Sequence, residues 1–90
     1  GVLTLSERRR LEVARALALG PRIMLLDEVM ALAALAHPGR RVAGLPAVKF
    51  LHPVQAGQDV AVHLSGAGDR IGASCTAEGR EVLRLTLAFA

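Results

Sequence analysis

The sequence predicts an α+β domain in which an antiparallel sheet wraps on a central helix, with an extra helix ahead of it. Three observations carry the prediction. Residues 23–36 are apolar on nearly every helical face. After residue 40 the hydrophobic period changes from helical to two. Glycines at Gly57, Gly66, Gly68 and Gly79 then divide the rest of the chain into short runs joined by turns.

Taken in order, Ser6 is a suitable N-cap, Glu7 sits in the first turn, and Leu11, Ala14, Leu17 and Ala18 follow at helical spacing before the stop at Gly20-Pro21. This predicts a first helix over 7–19, with the run Arg8-Arg9-Arg10 on its solvated face. Residues 23–36 contain few β-branched side chains and predict a second helix buried all round, ended by His37-Pro38-Gly39 because proline cannot continue a helix. Strands are expected near 42–54, 60–64, 70–76 and 82–89. In the last, Leu83, Leu85, Leu87 and Phe89 alternate with Arg84 and Thr86, so one face of the sheet is apolar and the other polar. Pro46 removes a ladder donor and is expected to interrupt the first of these strands.

Ninety residues make one small domain at most, with 52% hydrophobic but only 2% aromatic side chains. A core of Leu, Val and Ala without large rings is marginal and gains from a partner subunit. The net charge of +3 is carried by arginines spread along the chain, and there is no Trp or Tyr on which bases could stack. No nucleic-acid partner is expected. The single cysteine, Cys75, excludes an internal disulfide and a multi-thiolate metal site. A reducing cytoplasm suits it, and no metal or cofactor is expected. The apolar stretch 23–36 is interrupted by Asp27 and Glu28 and falls short of the ~20 residues of a bilayer span. No cleavable signal opens the chain, and its start at Gly1 instead of Met reads as that of a fragment.

Two stretches resemble known families. Leu3-Thr4-Leu5-Ser6-Glu7-Arg8-Arg9-Arg10-Leu11 through Ala18, followed by Gly20-Pro21-Arg22-Ile23-Met24-Leu25-Leu26-Asp27-Glu28, resembles the signature-to-Walker-B segment of ABC-transporter ATPases of the branched-chain amino-acid type. That resemblance implies a strand ending in an aspartate at magnesium, Asp27, and a glutamate beside the attacking water, Glu28. Nucleotide phosphates, however, need a glycine-rich loop followed by Lys and Ser or Thr. The only pair with that glycine spacing is Gly39 and Gly44, and Leu45-Pro46 follow it. Ser6 and Arg8 stand where the family's signature has glycine and glutamine. On its own, such a chain does not hydrolyse ATP.

From Pro21 onward the chain resembles the hot-dog fold dehydratases and thioesterases that act on acyl chains of acyl carrier protein or coenzyme A. The most specific stretch is Gly44-Leu45-Pro46-Ala47-Val48-Lys49-Phe50-Leu51-His52-Pro53-Val54-Gln55-Ala56-Gly57-Gln58-Asp59, with its Lys-Phe, Pro-Val and Gly-x-Asp. This resemblance implies a partial hot-dog-like domain over 21–90, lacking its first strand, behind an ABC-ATPase-like helical segment over 1–20. It further implies a homodimer paired edge to edge.

Loss of water from a 3-hydroxyacyl thioester requires a base for the α-proton and an acid for the departing hydroxyl. In the dehydratases a histidine ahead of the central helix works with an acidic residue on it, while backbone N–H groups at the helix start hold the thioester carbonyl. The acidic position corresponds to Asp27, the one catalytic candidate, but no histidine precedes Pro21. His37 follows the helix, His52 precedes a turn and His63 falls on a strand, so each reads as a structural histidine. Cys75, between Ser74 and Thr76, reads as a small core residue. The leading reading is an acyl-thioester dehydratase- or thioesterase-like protein, incomplete or inactive, whose partner is an acyl-ACP or acyl-CoA thioester and whose activity would be that of a lyase. The alternatives are an ABC-ATPase fragment without a phosphate loop, and a structural or designed module without activity. The two resemblances meet at Leu25-Leu26-Asp27-Glu28-Val29-Met30-Ala31, as in a spliced chain. The conformation of 23–36 separates them: a helix against an antiparallel sheet, or a strand among parallel neighbours.

Overall fold

The computed structural model describes residues 3–90, so Gly1 and Val2, and with them the start of the 1–20 segment, lie outside the described residues. Among the described residues the elements are β1 (Leu3–Arg10), α1 (Val13–Leu19), α2 (Pro21–Ala36), β2 (Val42–Phe50), β3 (Asp59–Ala67), β4 (Arg70–Ala77) and β5 (Arg80–Phe89). The strands form one antiparallel sheet in the order β1-β3-β4-β5-β2. Strands adjacent in sequence at the start of the chain, β1 and β2, thus lie on opposite edges. The intervening chain must cross the whole face. Sixteen helical residues span about 24 Å, and five strands span about 19 Å, so α2 is long enough to make that crossing.

Residues 23–36 are helical, which favours the hot-dog expectation over the ATPase one and places Asp27 and Glu28 in mid-helix instead of at a strand end. Pro21 takes the first helical position, where its missing N–H costs nothing. The expected all-round burial is corrected. Met24, Leu25, Val29, Leu32 and Ala33 are buried, but Ile23 and Leu35 are exposed, because the sheet covers only one side of the helix.

The first helix is also corrected. It begins at Val13, not Glu7, and Leu3–Arg10 form a strand paired with β3 from Leu3↔Gly66 to Arg10↔Asp59. The sheet therefore does not lack this strand. The unpaired N–H and C=O groups of β3 supply a ladder for residues 3–10, a stronger local incentive than one solvated helical turn. The arginine run accordingly splits between the two faces: Arg9 turns toward α2, and Arg8 and Arg10 are exposed. Leu11 is buried in the shared core and its backbone exchanges hydrogen bonds with Gln58 and Gly57.

The later strands follow the period-two reading. Val60, Val62 and Leu64 of β3, Ile71, Ala73, Cys75 and Ala77 of β4, and Leu83, Leu85, Leu87 and Phe89 of β5 point into the core against α2. The opposite face carries His63, Ser74 and Arg84 in one cross-strand row. A register shift after Cys75 leaves Val82 as an extra residue, and both Val82 and Leu83 are buried at that bulge. Around Pro46 the β2–β5 register shifts twice, between Val42 and Gly44 and between Gly44 and Ala47. The second shift spans the proline, so the ladder is interrupted there without the strand ending; the strand stops at Phe50, short of the expected 54.

Candidate functional site

Asp27 lies in the second turn of α2, with its side chain 45% exposed, and its Oδ2 accepts a hydrogen bond from an Arg15 Nη at 2.6 Å. Arg15 belongs to α1, so the ion pair ties the short helix to the long one. The sequence marks Asp27 as a candidate and carries no sign of Arg15. The two are twelve residues apart, on different helices, and no local spacing links them.

Glu28 is more enclosed, with 18% of its side chain exposed, and lies 3.8 Å from Arg9 Nε. Arg9 also reaches Glu7 at 3.0 Å through its terminal nitrogen. At 3.8 Å the contact to Glu28 is an ion pair and not a hydrogen bond, and Arg9 Nε is buried without a hydrogen-bond partner. This inward-facing Glu7–Arg9–Glu28 chain sits under the β1 edge, where charge discourages strand addition.

The start of α2 provides donors. The first ladder bond runs from the Met24 N–H to the Gly20 carbonyl at 3.1 Å. Pro21 has no N–H, so Arg22 and Ile23 carry the helix-start N–H groups that the ladder does not use. Ile23 and Asp27 are one turn apart on the same side of the helix. Asp27 thus lies one helical turn beyond two backbone donors that point along the axis at the positive end of the helix dipole.

None of the histidines is in hydrogen-bond contact with Asp27 among the described residues. His37 closes α2 through its backbone N–H to Ala33, its ring packs 5.2 Å from Phe89, and its Nε2 is buried without a partner. His52 is exposed in the loop after β2. His63 is on the outer sheet face, where its Nδ1 is hydrogen-bonded to Ser6 Oγ. Cys75 is fully buried, and burial, reinforced by Glu81, pushes its thiol up to about 12. A thiol held protonated in the core is no nucleophile.

No family model matches the sequence, and no curated protein matches it. Solved structures do match the fold. The dehydratase heterocomplex ApeI:P from Xenorhabdus doucetiae superposes with a TM-score of 0.80 at 14% identity, over 97% of this chain and 87% of that one. A hot-dog-like protein from Thermanaerovibrio acidaminovorans gives a TM-score of 0.69 at 15% identity, over 98% and 81% of the two chains. An acyl-CoA hydrolase from Staphylococcus aureus, solved with butyryl coenzyme A, coenzyme A and coenzyme A disulfide, gives 0.68 at 18% identity; 97% of this chain covers 62% of it. At these identities the likeness concerns the fold. The chain has a hot-dog-like α+β fold, similar to those of dehydratases and acyl-CoA hydrolases. The ATPase likeness of the first third has no counterpart among these structures.

Proposed function

We propose that this chain acts on acyl thioesters of coenzyme A or acyl carrier protein, with Asp27 as the reacting carboxylate and hydrolysis as the reaction its site supports best. The observation that carries the reading is that Asp27 lies one turn from the N–H groups at the start of α2 that the helix ladder leaves unused. A thioester carbonyl at the Arg22 and Ile23 N–H groups would develop its negative charge where two donors and the helix dipole stabilise it. Arg15 occupies Oδ2 as a donor, which leaves Oδ1 to accept a proton. In that arrangement Asp27 takes a proton from water, the hydroxide attacks the carbonyl carbon, and the C–S bond breaks as the thiolate leaves and is protonated.

Dehydration is the second reading, favoured by the dehydratase likeness at a TM-score of 0.80. It requires a second acid–base group beside Asp27, and the described residues around Asp27 offer Arg15 instead.

The protein is read as a homodimer through β2. That edge exposes Leu45 and Val48, whereas the opposite edge, β1, presents Ser6, Arg8 and Arg10. Charged edges resist pairing and apolar ones invite it.

The test is thiol release from butyryl-CoA alongside enoyl formation from 3-hydroxybutyryl-CoA. Thiol release is expected from the wild type, and Asp27→Asn should lower it at least about a hundredfold, the usual scale of acid–base catalysis. Enoyl formation without thiol release replaces hydrolysis by dehydration. If neither product forms, the enzymatic reading fails.

A further inference from the structure

Eleven Lys and Arg and eight Asp and Glu give the chain its net charge of +3, and the fold sorts them unevenly. The strand register puts Arg8, Arg10, Lys49, Arg70 and Arg84 on the outer face of the sheet, turned away from α2. Two carboxylates, Asp59 and Glu81, share that face. Five cations against two anions leave it at +3, while the six cations and six carboxylates of the helices, loops, turns and inward positions cancel. The whole net charge of the chain thus lies on one side of the molecule.

Both carboxylates of the outer face are already occupied. Arg10 Nε donates to Asp59 Oδ1 at 3.0 Å, and an Arg84 Nη donates to Glu81 Oε1 at 2.5 Å. Arg8, Lys49 and Arg70 are exposed and form no ion pair among the described residues. Arg8 lies level with Ala61 of β3 and Arg70 level with Ala67, at the far end of that strand, while Lys49 is on the edge strand opposite β1. At the usual strand rise and spacing the three stand about 20 Å apart, too far for one small anion to bridge. Between them the surface is low and polar. Ala61, Gly72, Ser74, Thr86 and Ala88 fill its middle, over a shallow depression of about 330 Å³ bordered by His63, Ser65 and Arg84. Among the described residues the exposed large apolar side chains lie on the helices and the β2 edge, none on this face.

We propose that the outer face of the sheet docks an acidic protein, with Arg8, Lys49 and Arg70 meeting carboxylates spread over about 20 Å of the partner's surface. Three other occupants fit the face less well. A second copy would set +3 against +3, a bilayer would find no apolar side chain to take up, and unpaired bases would find no aromatic ring on which to stack. Asp27 and α2 lie on the other side of the sheet, so this partner is not the carrier of a substrate for Asp27, and the inference stands apart from the acyl-thioester reading.

The probe is a stapled helical peptide of about 16 residues, ~24 Å long, with a glutamate on each turn of one side; its glutamine counterpart, a DNA duplex of similar length and phosphatidylglycerol vesicles are run beside it. By calorimetry at low salt the wild type should bind the glutamate peptide at least about tenfold more tightly than the glutamine one, and high salt should erase the difference. Arg8→Glu, Lys49→Glu and Arg70→Glu, on three different strands, should each weaken the glutamate peptide at least about threefold while keeping the wild-type melting temperature. Arg80 borders instead the cleft between the β2–β3 loop and the β4–β5 turn, beside His52 and Glu78. Arg80→Glu makes the same change in net charge outside the face and should leave the affinity unaltered. Equal affinity for the two peptides, an Arg80→Glu loss as large as those on the face, or tighter binding of the duplex or the vesicles than of the glutamate peptide overturns the proposal.

Discussion

Arg10 and Asp59 face each other across β1 and β3, with Arg10 Nε donating to Asp59 Oδ1 at 3.0 Å. The hydrogen bond and the positive charge of Arg10, helped by Arg8, hold the Asp59 carboxyl below its ordinary value. Because the folded value is depressed relative to about 3.9 in an unfolded chain, the pair contributes stability above that range. The contribution is lost as pH falls through the lower, folded value. Asp59→Asn should therefore be less stable than wild type at neutral pH and equal to it in strong acid, in urea titrations run at both. A difference that grows on acidification would contradict this. The pair is exposed and its effect is small, but it reports directly on whether β1 is docked. Among the candidate residues, Asp27 is legible because an Asp-Glu pair inside an apolar run stands out. Arg15 is not, since an isolated arginine in sequence carries no sign of what it will meet.

At the scale of elements, α2 shows why period alone misjudges burial. Its apolar residues surround the helix, yet only the face with Leu25, Val29 and Leu32 meets the sheet. Leu32→Ala should cost about 2–5 kcal/mol in unfolding free energy, the transfer of a buried side chain plus the cavity it leaves. Leu35→Ala, at a position 70% exposed, should fall within about 0.5 kcal/mol of wild type. Equal effects at the two positions, read from urea midpoints, would mean that α2 is covered on both sides. The strands β3, β4 and β5 were foreseen nearly to their ends, because alternation and turn glycines are local signals. β1 was misread as helix. Ser6 and Glu7 satisfy helix-start rules, and only the free edge of β3, more than fifty residues later in the chain, outweighs them.

For the whole molecule, the sheet ends in two unlike edges. On β2, Val48 is 41% exposed beside Leu45, on a chain with a small core and few aromatic anchors. Burial of that edge against a second copy would add the apolar contact that a domain of this size lacks. Sedimentation should show a dimer for the wild type and a monomer for Val48→Lys, with Ser6→Lys on the opposite edge leaving the dimer intact. A monomeric wild type at tens of micromolar would remove the β2 pairing from the account. Among the described residues no helix is long and apolar enough to cross a membrane.

By itself the sequence determined the central helix, the antiparallel meander after it and the polar and apolar faces of that meander. All of these follow from periodicity, turn residues and composition within windows of a dozen residues. Tertiary structure decided the rest: that residues 3–10 become an edge strand, that α2 is covered on one side only, that Arg15 holds Asp27, and that Arg80, His52 and Glu78 gather round one cleft. Each of these depends on segments separated along the chain: β1 on the edge hydrogen bonds of β3, α2 on burial of one face against the sheet, Asp27 on an ion pair from the other helix, and the cleft on the approach of the β2–β3 loop to the β4–β5 turn.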